Sequence, residues 1–338
     1  MLSDIALEEL LSRPTPAVVE GMGDLEGGLL LLGAGGKMGP SLARLAQRAS
    51  REAGVERRIV AVARFTNPGL EAALQSYGIE TIRCDLFDAG QVAALPDLPN
   101  VIFMAGQKFG TSDDAPRTWA VNAYLPGVVA TRFSSARIVA FSTGNVYPLS
   151  DALGEGPVES DPTGPVGEYA QSALARERVL EFFSRTQPTP MAILRLNYAN
   201  EPRYGVLRDI ADKISSGQPI DLAMGRVNVI WQRDANAVAL RALQRCAVPP
   251  LVLNLTGRPA YPVRWLAVEL GRRLGIEPVF RGTEADSALL SDASRCEALF
   301  GAPAVEIEEM LEYVASWVAQ GGRSLGRPTH YESREGKY

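Results

Sequence analysis

Apolar and polar positions along this chain come in blocks. Four leucines, Leu29 to Leu32, run into Gly33-Ala-Gly-Gly36-Lys37-Met38-Gly39 and then into SLARLAQRAS, where apolar residues return at helical spacing. A short apolar run that stops at glycines predicts a buried strand, and the pattern after it predicts a helix. The succession recurs. RIVAVARF is an apolar strand ending at Ala63 and Arg64, GLEAALQSYG a helix, IETIRCDLFD a short strand with its exit loop, and NVIFMAGQ a fourth strand. SDDAPRTWAVNAYLPGVVATRFSS is a long helical segment, RIVAFSTGNVYP a fifth strand, GEYAQSALARERVLEFFSRT a long helix closed by Pro188, and MAILRLNYAN a sixth strand. Strands alternating with helices over about 170 residues predict βαβ units and a doubly wound, Rossmann-type parallel sheet.

Outside these blocks the pattern changes. In residues 1–24, Ile5, Leu7, Leu10 and Leu11 share one side of a short amphipathic helix ended by Pro14 and Pro16. This helical extension is expected to pack on the surface of the domain or of a partner subunit. Beyond Asn200 helices and strands mix irregularly, as in LRDIADKISSGQPIDL, VNVIWQRDANAVALRALQRC, PVRWLAVELGRRLG and EIEEMLEYVASWVAQGG. The expected organisation is a sheet domain of residues 25–200 plus 228–256 and a smaller α+β substrate lobe of residues 201–227 plus 257–325. The lobe would cover the carboxyl ends of the strands, where ligands of such folds bind. Residues 326–338 read as a polar, irregular tail.

Composition narrows the partners. With 34 basic against 39 acidic residues the net charge is −5, and no basic run suggests nucleic acid. Cys84, Cys246 and Cys296 are scattered and His330 is the only histidine, which argues against disulfides, a metal site or a histidine-based triad and fits a reducing cytoplasm. The N-terminus carries Asp4, Glu8 and Glu9 where a signal peptide would be basic, and no apolar run has membrane-spanning length.

The chemistry-bearing residues begin with the glycine turn. Gly33 would make the turn, Gly36 would admit a pyrophosphate, and Gly39 would let helix and strand pack closely. A ligand-free strand-to-helix turn is the alternative. Asp85 or Asp88 could simply cap the helix beginning near Ala89. Thr143 could satisfy backbone at a strand end, and Tyr169 could be an amphipathic residue at a helix start.

Taken in order, these motifs resemble the extended short-chain dehydrogenase/reductase superfamily, in its NAD(P)-dependent epimerase/dehydratase branch, over roughly residues 27 to 320. The resemblance implies a dinucleotide-binding sheet domain, with Gly33, Gly36, Lys37, Met38 and Gly39 in the phosphate turn. Asp85 matches the acidic residue that contacts the adenine, and Ala105-Gly106 the small pair bordering the cofactor. Asn122 in Val-Asn-Ala-Tyr-Leu-Pro-Gly matches the asparagine of the proton relay, Thr143 the catalytic Ser/Thr and Tyr169 the catalytic tyrosine. Asp234 matches the acidic residue opening the helix after the returning strand, and Arg195 fits the Leu-Arg pattern with an ion pair as its role. The implied chemistry is hydride transfer between a nicotinamide and a secondary alcohol or ketone of a carbohydrate-like substrate.

One departure stands against these matches. The family pattern is Tyr-x-x-x-Lys, and here Tyr169 is followed at i+4 by Ala173. A tyrosine near its reference pKa of about 10 is only about 0.1% ionised at neutral pH, a weak base but a ready proton donor. Arg176, on the same helical face, and Lys108, in the loop after the fourth strand, are candidate substitutes. The competing reading is an NAD(P)-binding sensor or scaffold with impaired catalysis. At the end of the second strand, where NAD enzymes place a carboxylate, stand Ala63 and Arg64, which favours NADP over NAD. Gly144-Asn145 replaces the Asp-Glu pair of family dehydratases, so dehydration is not expected. Family members often dimerise through helices equivalent to residues 117–134 and 167–184, so a homodimer is expected.

Overall fold

The computed structural model of the protein describes residues 2–111 and 113–337. Ser112, which opens one expected helical segment, and the terminal Met1 and Tyr338 lie outside them. The apolar blocks become seven parallel strands: β1 (Leu29–Leu32), β2 (Ile59–Ala63), β3 (Glu80–Arg83), β4 (Asn100–Phe103), β5 (Arg137–Thr143), β6 (Met191–Leu196) and β7 (Leu251–Leu255). Their spatial order is 3-2-1-4-5-6-7. Leu29 is in register with Ile59 on one side and with Asn100 on the other. Strand order reverses at β1, between β2 and β4, which opens a crevice at the carboxyl ends.

Both faces of the sheet are covered, which is why the central strands are apolar throughout rather than alternating. On one face Leu29, Leu31, Ile102, Val139 and Leu194 pack with Leu42, Ala46, Ala235 and Ala239, from the helices Gly39–Glu52 and Gln232–Ala242. On the other, Leu30, Leu32, Val60, Val101 and Ile138 pack with Leu125, Val129 and Leu180. A separate core gathers the helices Val206–Ser215, Val263–Leu274 and Ile307–Ala319 around Trp231 and Tyr331.

The N-terminal residues belong to both cores. In the helix Asp4–Ser12, capped by Ser3, Leu7 and Leu11 are fully buried among Val206, Ile210 and Leu311. In the helix Pro16–Asp24, Val18 and Met22 are buried against the sheet's own layer. Glu9 accepts from Arg44 at 3.2 Å and from Arg48 at 2.5 Å. The N-terminal extension thus packs one apolar face onto the domain, while Ile5 stays exposed, and bridges the sheet and the lobe.

The segment expected as one long helix before β5 is interrupted. It runs as Ala115–Trp119, a π-helical turn Ala120–Tyr124 and a second helix Leu125–Arg132. Pro126 stands four residues after Asn122 and has no N–H to offer the Asn122 carbonyl, so regular helix pairing fails there.

Leu11→Ala is expected to destabilise the protein by about 2–5 kcal/mol, the range for a leucine truncated in a packed core. Denaturant unfolding checks this; a loss below about 0.5 kcal/mol, the surface range, would show that the helix is dispensable.

Candidate active site

The turn after β1 is shaped by glycines that cannot carry side chains. Gly33 has φ +89°, and a Cβ there would meet Ala105 N at 2.6 Å. At Gly39 a Cβ would run into the carbonyl group of Ala34. Gly36 is different: its nearest atom to an added Cβ is Gly33 O at 3.5 Å, so its open side faces the crevice. That crevice is a cleft of about 620 Å³ whose walls include Gly33, Gly36, Ala63, Arg64, Asp85, Ala105 and Gly106. Seven positions scattered over four strand ends thus meet in one cavity.

Asp88, not Asp85, caps the helix Ala89–Ala93, accepting from Gln91 N at 3.0 Å. Asp85 is left on the cleft wall, accepting from Phe87 N at 3.1 Å. Arg64 is exposed at the end of β2 with its side chain unpaired among the described residues. Two arginines with no signal in the sequence also line the cleft: Arg117, from the helix Ala115–Trp119, and Arg327, from the C-terminal segment.

Lys37 and Met38 do not face the cleft. Met38 is buried in the sheet core. The Lys37 ammonium turns to the carboxyl end of β6, donating to Ala199 O at 3.1 Å and standing 3.7 Å from the centre of the Tyr204 ring. Burial, only partly offset by Glu201, lowers its pKa to about 7, and nearby Lys108 adds to the fall. Lys108 donates to Thr329 O at 3.0 Å, and burial lowers its pKa to about 8. Asp209 accepts from Thr329 N at 2.7 Å, and burial raises its carboxyl to about 6. These groups surround Tyr198, Tyr204 and Phe109 on the lobe side of the cleft.

The hydroxyl pair lies at the carboxyl end of β5. Thr143 is buried; its Oγ1 donates to Asn145 Oδ1 at 3.0 Å and accepts from Asn145 N at 3.2 Å. The helix Gly167–Thr186 starts at Gly167, whose φ of +81° requires glycine, and its first turn brings the Tyr169 hydroxyl into a hydrogen bond with Thr143. Burial raises the Tyr169 pKa, while Thr143 and the charge of Arg176 pull it down.

Ala173 packs against Val146 and Tyr147 and brings no polar group of its own to the i+4 position. Arg176, one turn further along, fills the gap. Its guanidinium donates to Phe141 O and Asn122 Oδ1, each at 2.6 Å, and through Nε to the Asn122 carbonyl at 3.4 Å. That carbonyl is the one to which Pro126 cannot donate an i→i+4 hydrogen bond. Asn122 also accepts from Gln107 N at 3.0 Å and donates to Gln107 O at 2.9 Å, fixing the loop that carries Lys108. Asn122 therefore ties the loop after β4 to Arg176, through Gln107 on one side and the guanidinium on the other.

Deeper still, Arg195 and Glu177 form a buried ion pair at 2.7 Å. Ser142 donates to Glu177 at 2.5 Å and Arg195 to the Tyr147 hydroxyl at 2.6 Å, so this network braces β5, β6 and the tyrosine helix. Asp234 accepts from Val305 N at 2.9 Å and holds the lobe to the helix Gln232–Ala242.

A family model described as "NAD dependent epimerase/dehydratase family" matches residues 29–250. No curated protein sequence matches the chain. Among solved structures, UDP-glucuronic acid 4-epimerase from Bacillus cereus, in complex with UDP-glucuronic acid and NAD, is similar with a TM-score of 0.72 at 17% identity, over 86% of this chain and 99% of that one. The dTDP-glucose 4,6-dehydratase DesIV from Streptomyces venezuelae, with NAD and TYD bound, gives 0.73 at 20% identity, over 86% and 97%. The Bordetella bronchiseptica enzyme WbmG, in complex with NAD and UDP, gives 0.71 at 20% identity, over 90% and 99%. Identities this low establish a shared fold.

Burying a charged lysine at Lys37 costs stability while it stays protonated. Its folded pKa of about 7 lies below an unfolded value of about 10.4, so between these values the unfolded chain holds more protons and stability rises with pH. Lys37→Met should therefore stabilise the protein most at or below about pH 7 and progressively less toward about pH 10. Denaturant midpoints of both proteins across that range check it; a difference independent of pH would refute it.

Proposed function

Because the chain belongs to the NAD-dependent epimerase/dehydratase family, we propose that it is an NAD(P)-dependent oxidoreductase or epimerase acting on a secondary alcohol or ketone of a sugar or sugar-derived substrate. The observation that carries this reading is the Thr143–Tyr169 hydroxyl pair at the carboxyl end of β5, together with the glycine-walled cleft at the strand-order switch. The cleft suits a dinucleotide: Gly36 offers an open backbone, Ala105 and Gly106 present no bulk, and Asp85 and Arg64 stand unpaired with other side chains on its walls. A bound nicotinamide supplies or accepts the hydride.

The chain's own residues handle the proton. Tyr169, kept neutral by burial, donates its phenolic proton to the carbonyl oxygen of a ketone as charge develops there, and Thr143 donates a hydrogen bond to the same oxygen. The tyrosinate left behind is stabilised by the Arg176 charge, which does part of the work of the lysine replaced by Ala173. In the reverse direction the phenol has to lose its proton first. Alcohol oxidation should then rise about tenfold per pH unit through the neutral range, because the phenolate is the minor form below about pH 10. Tyr169→Phe should lower kcat about 100- to 10,000-fold in either direction. Absorbance assays of sugars and sugar lactones with both cofactors test this; turnover unaffected by the substitution would refute the assignment.

Ala63 and the unpaired Arg64 at the end of β2 support NADP over NAD, since no carboxylate there repels a 2′-phosphate. NADPH should bind more tightly than NADH in fluorescence titrations, and equal or reversed affinities would rule out this preference. The missing lysine supports a second reading, a dinucleotide-binding sensor or scaffold; tight cofactor binding without turnover of any substrate would favour it. We place a homodimer contact on the helices around residues 117–134 and 167–184, where Tyr124 and Phe182 are 62% and 60% exposed. The three free cysteines suit a cytoplasmic setting, and among the described residues no helix is long and apolar enough to cross a membrane.

A further inference from the structure

Among the described residues the segment after Leu325 has no regular secondary structure, yet it is pinned along its length. Leu325 N donates to Arg203 O at 3.0 Å. Thr329 donates twice to Asp209 Oδ2, from its N–H at 2.7 Å and its hydroxyl at 2.5 Å, and its carbonyl accepts from Lys108 at 3.0 Å. Tyr331 is fully buried in the lobe core. Arg334 donates to Ala223 O at 3.0 Å and to Ser287 O at 2.7 Å. Gly336 lies against Val166 and Gly167, the turn that launches the Tyr169 helix.

Between the anchors at Leu325 and Thr329 one side chain is not tied down. Arg327 is exposed; its guanidinium stands 6.0 Å from the centre of the Phe109 ring, and it lines the same cleft as Gly35 and Gly36. The phosphate turn itself brings no cation there, because Lys37 is directed at Ala199 O. A planar guanidinium makes two parallel hydrogen bonds to a phosphate, and holding its backbone in place beforehand reduces the entropy lost on binding.

We propose that Arg327, presented by the strap of residues 326–334, grips a phosphate of the bound dinucleotide, so that the strap and the cofactor hold each other in place. This rests on the dinucleotide reading of the cleft. The strap then connects the cofactor to the substrate side, through Thr329 to Asp209 and Lys108, and just beyond its end Gly336 lies against the start of the tyrosine helix.

The test is titration of the wild-type protein, Arg327→Ala and Arg327→Lys with NADH and NADPH, together with hydrogen exchange of the strap amides. Loss of a charge-assisted hydrogen bond should weaken binding to Arg327→Ala roughly 10- to 100-fold, with partial recovery in Arg327→Lys. Either dinucleotide should slow exchange in residues 328–334 of the wild-type protein but not of Arg327→Ala. Equal weakening of both dinucleotides assigns the contact to the pyrophosphate, and weakening of NADPH alone assigns it to the ribose phosphate. Wild-type affinity in Arg327→Ala overturns the proposal while leaving the cofactor reading standing. A wild-type protein that binds neither dinucleotide overturns both.

Discussion

One buried guanidinium holds the reactive end of the sheet together. Arg176 bonds the carbonyl of Phe141 on β5, both oxygens of Asn122 in the π-helical turn, and lies against Gly106 at the exit of β4. A charge placed there is compensated by three acceptors, the two oxygens of Asn122 and the Phe141 carbonyl of β5, and by the face of the Phe103 ring. Remove that fit and the loop after β4, the hydroxyl pair and the cofactor-side wall lose a common support. The same charge is the positive neighbour felt by Tyr169. The fold therefore retains a cation near the tyrosine although the usual position, at Ala173, carries a methyl group.

Around this centre the electrostatics divide into two regions. The cleft carries exposed arginines, Arg64, Arg117 and Arg327, which suit phosphate groups in contact with water. The lobe side carries amines and a carboxyl whose charged forms are disfavoured by burial: Lys37, Lys108 and Asp209, all titrating between about 6 and 8. Aromatic rings of Tyr198, Tyr204 and Phe109 wall this second region. Charge there is responsive to pH and to whatever polar ligand enters.

The sheet was legible because its signal is local. Short continuous apolar runs bounded by glycines fit strands covered on both faces, and β1, β2, β4, β5 and β6 appear where the runs are, while the polar edge strand β3 follows from the alternation of strands and helices. The glycine turn was legible too, since Gly33 and Gly39 are demanded by contacts with Ala105 and Ala34 that any such turn creates. Asn122, Thr143 and Tyr169 could be picked out by their order, but the order does not tell that Asn122 works through Gln107 and Arg176. The Asn-x-x-x-Pro spacing at Asn122 and Pro126 was the available signal for the π-helical turn, because the missing N–H is written in the sequence.

What the sequence determined by itself is thus the parallel sheet and its cleft-forming turn, encoded by residues close together in the chain. Tertiary structure alone decided where long side chains and irregular segments go. Lys37 sits in the glycine turn yet points to Ala199; the first helix buries Leu7 and Leu11 in the lobe core; a polar tail returns to bring Arg327 to the wall of the cleft that Gly36 also lines. The reason is physical: a side chain with several rotatable bonds, or a strand-free segment, is placed by contacts made across large sequence separations, and periodicity carries no information about partners that distant.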